Sequence, residues 1–495
     1  MTATIRIDPA RKLGTVDRRL YGNFIEHLGR CIYGGVFEPG SRLSDEHGFR
    51  RDVLEAARGL RIPVLRWPGG NFVSGYHWTD GIGPAEQRPR RVELAWHGEE
   101  PNLFGTNEFI EYCRVLGTEP YICVNMGTGT MDEAQAWVEY CNGTGNTYWA
   151  NRRRANGHPE PYNVKYWGLG NEMYGPWQIG STSAEEYVRR ARQFAAIMKW
   201  TDPSIELVSC GELGWTDWDR TVIEGLAPYV RYHSVHLYTG SKDYYHNVLQ
   251  PHQADRALRI CESMIERARY AQKIEHPIGI AFDEWNVWYR ARGHQTRLEE
   301  RYDLSDALAV STFLNVMIRH CRSVEIANYA QMVNVIAPIF TNPDGLFLQT
   351  VYHPLRRYAE HMQPVAFDPL VVSPKHELTT EQPEGPNRSW KVSDLGPFDL
   401  LDVTATGDQD GRELCIAVVN RSLDQALPAC VELLGRTISG EVTVYEVNGA
   451  GPGTTNSFEH PDAVSVSTRS ALATDRRLDY TFPAHSLTLL RARTM

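Results

Sequence analysis

The chain has 495 residues, 42% hydrophobic and 23% charged, which is long enough for two globular domains with separate cores. Its net charge of −10 is spread without a basic run or an acidic tail, which argues against a phosphate-backbone partner, and no nucleic acid is expected. No window approaches about 18 uninterrupted apolar residues, and "MTATIRIDPARKLG" lacks a signal-peptide pattern, so no membrane span and a cytoplasmic location are expected.

Nine cysteines are scattered without a C-x-x-C pair, which points to neither a disulfide framework nor a zinc ribbon. The 13 Trp and 24 Tyr exceed what a core of this size needs. Rings with a flat apolar face and a polar tip suit sugars.

The segment 1–18 contains "ATIRID", a strand expected to pack with the C-terminal domain. From 19 to 375, short β-branched or aromatic runs alternate with helix-period stretches, the pattern of repeated βα units. Strands are expected over 20–28, 63–70, 120–127, 164–172, 205–213, 232–240, 278–286 and 324–334, and eight strands close a (β/α)8 TIM barrel. After the fourth strand, Ala184, Val188, Ala191, Ala195 and Met198 share one helix face, with Ser183 and Glu186 as a capping box and Pro203 just past the end. Similar amphipathic runs fill 253–273 and 304–320. The segment 376–495 changes to short strands separated by Gly, Asn and Asp, which predicts an antiparallel, jelly-roll-like β-sandwich.

In such a barrel the active site lies at the C-terminal strand ends, where the βα loops converge. Polar residues fall at seven of these eight tips: Glu26 and His27, Arg66 and Asn71, Asn125, Asn171 and Glu172, His236 and Tyr238, Glu284, and Gln331. Glu172 and Glu284 end strands on opposite sides of the mouth. Strand side chains alternate faces, so only one of Asp283 and Glu284 is expected inside, and Glu284 is assigned to the site with Asp283 in a structural network. Two opposed carboxyl groups suit glycosidic bond cleavage: one protonates the departing oxygen and the other attacks or stabilises the anomeric carbon. Mutual repulsion is expected to keep Glu172 protonated while Glu284 is ionised.

The stretches "YGNFIEHLGRCIYGG", "RWPGGNFVSGYHW", "GLGNE", "HLYTG", "DEWNVWY" and "AQMVNVIAPI" closely resemble the α-L-arabinofuranosidases of glycoside hydrolase family 51, and the likeness extends to the terminal "FPAHSLTLL". The resemblance implies Glu172 as acid/base and Glu284 as nucleophile of a retaining enzyme, with carboxyl groups about 5–5.5 Å apart. It implies that Glu26, Asn71, Asn171, Tyr238 and Gln331 hold furanose hydroxyls, Asn171 taking the 2-hydroxyl. Trp96 and Trp288 are implied to line the subsites around the scissile bond, His236 to orient Tyr238 or Glu284, and Arg66 to be a buried supporting cation. The implied reaction is exo-release of terminal L-arabinofuranose from arabinoxylan or arabinan oligosaccharides, without cofactor, by a homo-oligomer that is often a hexamer in the family. The loop 290–303 leaves aglycone preference open.

Three other readings fit parts of the pattern. Another retaining glycosidase of the same clan, an endoglucanase or β-xylosidase, would use the same carboxyl pair. A metal-dependent barrel enzyme would use Glu172, Glu212 and Glu284 as ligands of a hard cation. A non-catalytic sugar-binding protein would need the aromatic rim alone.

Overall fold

The computed structural model describes residues 2–291, 296–378 and 391–495; residues 292–295 of the 290–303 loop lie outside the described residues. Eight parallel strands close a barrel: Gly22–Phe24, Val64–Trp67, Glu119–Val124, Tyr166–Leu169, Glu206–Ser209, Tyr232–Thr239, Gly279–Val287 and Val324–Ala330. Each lies inside a segment expected from the sequence or oversteps it by one residue, and the polar tip residues stand in the C-terminal halves of the strands or in the loops just beyond. Val64, Tyr121, Tyr166, Val208, Tyr232, Ala281 and Ile326 form a closed apolar layer inside the barrel. Two residues further along their strands stand Arg66, Ser234 and Asp283, so the interior turns polar toward the mouth.

Helices follow the strands. In Ala184–Thr201 the Ser183 hydroxyl accepts from the Glu186 amide, and Tyr187 and Phe194 join Val188, Ala191, Ala195 and Met198 on the buried face. The helix Leu304–Arg319 departs from expectation. Every residue from Leu304 to Ile318 is buried, because the β-sandwich packs on the face that an amphipathic surface helix would leave in water.

The sandwich is built from a four-stranded and a seven-stranded sheet. Two corrections apply to the expected layout. Val365–Phe367 and Leu370–Val372 already belong to these sheets, so the sandwich begins ahead of residue 375. Ala3–Ile7 lies between Leu370–Val372 and Leu427–Leu433, pairing antiparallel with the first and parallel with the second, so the architecture is not wholly antiparallel. Lys12–Thr15 pairs with Val365–Phe367 in the other sheet. Both N-terminal strands therefore tie the chain's start to its C-terminal domain.

One polar joint fixes sandwich to barrel. Asp402 accepts from Asn315 Nδ2 at 2.9 Å and Arg319 Nη1 at 3.0 Å, both on the buried helix. Burial alone would push its carboxyl up, but the Arg319 and Arg421 charges outweigh this and hold it well below the ordinary range. Asp402→Ala strands two donors and a buried cation, and should destabilise the protein by about 3 kcal/mol, read as a lower urea midpoint.

Candidate active site

The mouth of the barrel opens on a cavity of about 780 Å³ lined by Glu26, Asn71, Trp96, Glu172, His236, Tyr238, Glu284, Trp288 and Gln331 among others. Arg66 and Asn171 stand behind this lining, each 1% exposed. The expected site residues are thus brought together, except that His27 and Asn125 leave it. His27 stacks on Phe72, with Nδ1 2.8 Å from Glu100 and Nε2 accepting from Trp67. Asn125 bridges its own loop to the one after the second strand, accepting from the Gly127 amide and donating to the Tyr76 carbonyl.

Glu284 reaches the cavity through a backbone irregularity. Ser234 pairs with Ala281 and His236 with Glu284, so three residues of the seventh strand span two of the sixth. The register against the eighth strand shifts at the same place. A bulge breaks the alternation, and Asp283 and Glu284 both face the interior. This corrects the expectation that only one of them does. Asp283 nonetheless sits in a structural network: its carboxylate accepts from Tyr121 Oη at 2.7 Å and from the Ser234 hydroxyl.

Glu284 is held at both oxygens. Arg66 Nη1 donates to Oε2 at 2.8 Å and Tyr238 Oη donates to Oε1 at 2.6 Å. Arg66 also donates to Asn171 Oδ1 at 2.5 Å and to the Asp283 carbonyl at 3.2 Å, while its guanidinium lies over the Phe24 ring. Burial opposes the Arg66 charge, but Asp283 and Glu284 hold its pKa well above the ordinary value.

Glu172 follows the fourth strand with φ of +44°, a left-handed conformation that costs a non-glycine residue about 1–2 kcal/mol. Its carboxylate accepts from Trp177 Nε1 at 2.7 Å and Tyr174 Oη at 3.1 Å, and faces His236 Nδ1 at 3.0 Å. Trp177 and Tyr174 escaped the sequence analysis, although "EMYGPW" sets both aromatics just after the acid. Burial pushes the Glu172 carboxyl up, yet the hydrogen bond and charge of His236 outweigh it and hold the group below the ordinary range. This direction is opposite to the rise expected from repulsion by Glu284. Single ligand atoms of Glu172, His236 and Glu284 lie within 4.8 Å of one another. Glu212, the third ligand of the metal-site reading, is outside that group and its carboxylate accepts from Thr216.

Across the mouth, strands eight and one carry a second polar cluster. Glu26 accepts from the Phe72 amide and Trp96 Nε1, both at 3.1 Å, and from Gln331 Nε2 at 2.8 Å. The Asn171 Nδ2 and Gln331 Oε1 atoms are buried without a partner. At Gly70 an added methyl would stand 3.5 Å from Asn171, Glu26 and Glu284, so the absent side chain leaves open the space between them. Burial, aided by the Glu284 charge and opposed by the Phe72 amide, pushes the Glu26 carboxyl up from 4.5 to about 7. A carboxyl raised on folding binds more protons in the native state, so stability falls as pH rises through that window. Glu26→Gln removes this penalty, and its effect on the melting temperature should be more favourable at pH 8 than at pH 5.

Comparison with known proteins agrees with this geometry. The family model described as the alpha-L-arabinofuranosidase 1 domain matches residues 56–256, and that of the alpha-L-arabinofuranosidase C-terminal domain matches residues 283–486. Alpha-L-arabinofuranosidase C of Emericella nidulans is 45% identical over 98% of this chain and 97% of its own. An intracellular exo-alpha-(1->5)-L-arabinofuranosidase of Halalkalibacterium halodurans is 38% identical over 86% of each chain. The structure of the thermostable GH51 alpha-L-arabinofuranosidase from Thermotoga petrophila superposes with a TM-score of 0.92 at 42% identity, covering 99% of both chains. Likeness of this extent in sequence and fold is family membership: the chain belongs to the α-L-arabinofuranosidases of glycoside hydrolase family 51, and is a glycoside hydrolase.

Proposed function

We propose that the protein is a retaining, exo-acting α-L-arabinofuranosidase that removes terminal non-reducing α-L-arabinofuranosyl residues from arabinoxylan and arabinan oligosaccharides by double displacement. The observation that carries this is the approach of the Glu172 and Glu284 carboxylates to within 4.8 Å in one cavity, a spacing suited to a nucleophile and an acid/base serving one anomeric carbon. Names of relatives at 45% and 38% identity support the substrate class.

Arg66 and Tyr238 hold Glu284 by its two oxygens, oriented for attack, while the bulge presents it. Glu172 delivers the proton to the departing oxygen and then takes one from water. The unpartnered Asn171 amide suits the sugar's 2-hydroxyl, where a hydrogen bond strengthens as positive charge develops on the ring. Glu26 and Gln331, with Asn71, suit the remaining hydroxyls, and Trp96 and Trp288 supply ring faces. Strands eight and one lie opposite strand four in the ring, so the Glu26–Gln331 pair and Trp96 stand across the cavity from Glu172. That placement favours a terminal sugar over an internal one. The name of the Halalkalibacterium relative supports an intracellular location, and family resemblance supports a homo-oligomer, a hexamer, which sedimentation velocity tests.

Three measurements test the reading. Hydrolysis of 4-nitrophenyl α-L-arabinofuranoside should far exceed that of the β-D-xylopyranoside or of a cellulosic polymer, and the opposite ranking would favour another glycosidase of the clan. Proton NMR should show the α-anomer of arabinose as first product, whereas the β-anomer would exclude retention. Glu284→Ala should abolish turnover, while Glu172→Ala should lose on the order of 10²–10⁴ in rate on poor leaving groups and far less on activated ones.

A further inference from the structure

His236 stands among three carboxylates with both ring nitrogens engaged. Nδ1 lies 3.0 Å from Glu172 Oε1 and 3.5 Å from Glu284 Oε2, and Nε2 lies 3.3 Å from Asp283 Oδ1. The side chain is 4% exposed. A neutral imidazole carries one N–H and one lone pair, and either tautomer here would aim its lone pair at a buried carboxylate. Only the doubly protonated ring donates on both sides.

The surrounding groups favour that state. Asp283 also takes the Tyr121 and Ser234 hydroxyls, Glu284 takes Arg66 and Tyr238, and Glu172 takes Trp177 and Tyr174. Among the described residues Arg66 is the other cation in the cluster, and Glu26 lies farther across the cavity. The His236 amide donates to the Glu212 carbonyl, whose own carboxylate is occupied by Thr216. Burial pulls the imidazole down, but the Glu284 charge and the bonds to Asp283 and Glu172 push it from 6.5 up to about 10. First among the groups that hold this proton is the carboxylate that disappears when a glycosyl ester forms.

We propose that the proton delivered to the departing sugar oxygen is stored on Nδ1 of His236 in the resting enzyme, passes through Glu172, and is released by esterification of Glu284. The inference rests on the double displacement proposed above. In the first half-reaction the Nδ1 proton moves to Glu172 Oε1 and on to the glycosidic oxygen. The anomeric C–O bond breaks as the bond from Glu284 to that carbon forms. Glu284 loses its charge as an ester and His236 becomes neutral, so the cluster's net charge is unchanged and Glu172 remains a carboxylate ready to act as base. In the second half-reaction water adds to the anomeric carbon, Glu284 departs as a carboxylate, and the water's proton passes through Glu172 back to His236. His236 thus acts through Glu172 as a proton store coupled to the charge of the nucleophile.

The test follows the His236 ring by NMR in enzyme labelled with ¹⁵N-histidine, its signal assigned by loss in His236→Asn. At pH 7 the free enzyme should show an imidazolium. After trapping with an activated 2-fluoro-arabinofuranoside, the same ring should be neutral. A neutral ring in the free enzyme, or an imidazolium that persists in the trapped ester, would overturn the inference. If mass spectrometry finds no sugar adduct on Glu284, the double displacement fails instead, and the free-enzyme spectrum still judges the proton store. Kinetics give a second arm: His236→Asn should lose at least about tenfold more kcat/KM on an arabino-oligosaccharide than on the 4-nitrophenyl substrate. Its alkaline limb should also move to lower pH. Equal losses with an unmoved limb would leave His236 a purely orienting role and refute the store.

Discussion

Arg66 sets its guanidinium against Glu284, Asn171 and the Asp283 backbone from a position that is 1% exposed. Without that cation, three carboxylates at the barrel mouth would have, among the described residues, the imidazole alone to balance them, and burial favours the neutral form of an unbalanced carboxyl. Removing one partner from such a buried set is far more damaging than the net worth of any single pair, since the others are left uncompensated. The apolar layer of Val64, Tyr121 and Ile326 beneath excludes water from below. Phe24 under the guanidinium gives the charge a flat surface to rest on.

Two departures from regular backbone aim the opposed acids. The extra residue in the seventh strand puts Asp283 and Glu284 on the same side, so one carboxylate can anchor Arg66 and His236 while the next faces the cavity. The left-handed turn at Glu172 swings its carboxylate toward His236 and away from a continued strand. Strain of this kind persists because neighbouring contacts over-determine it. Tyr174, Trp177 and His236 provide those contacts at Glu172.

The aromatic walls are held by buried acids at one remove. Glu93 accepts from the Ala95 and Trp96 amides, and Glu100 takes His27, Tyr33 and the Asn102 amide, which pins the hairpin bearing Trp96. Glu300 accepts from the Arg290 and Ala291 amides, and the Ala291 carbonyl takes the Trp288 indole, whose ring stands edge-on to Tyr238. Rings fixed in this way lose little freedom when a sugar arrives, which favours binding.

The sequence by itself determined the eight-strand alternation, the sheet-rich C-terminal domain and the polar strand ends, because periodicity and local composition are properties of neighbouring residues. It carried Glu172 and Glu284 as the opposed pair, and it offered Tyr174 and Trp177 to any reading that weighed the aromatics beside an acid. Tertiary structure alone decided the rest. The bulge at Asp283 depends on register against two flanking strands, which no local pattern encodes. Burial of every residue of Leu304–Ile318 depends on a sheet some hundred residues later in the chain. The proton's place on His236 depends on carboxylates from the fourth and seventh strands meeting one ring from the sixth, and electrostatic energy is set by distance in space, which sequence separation does not report.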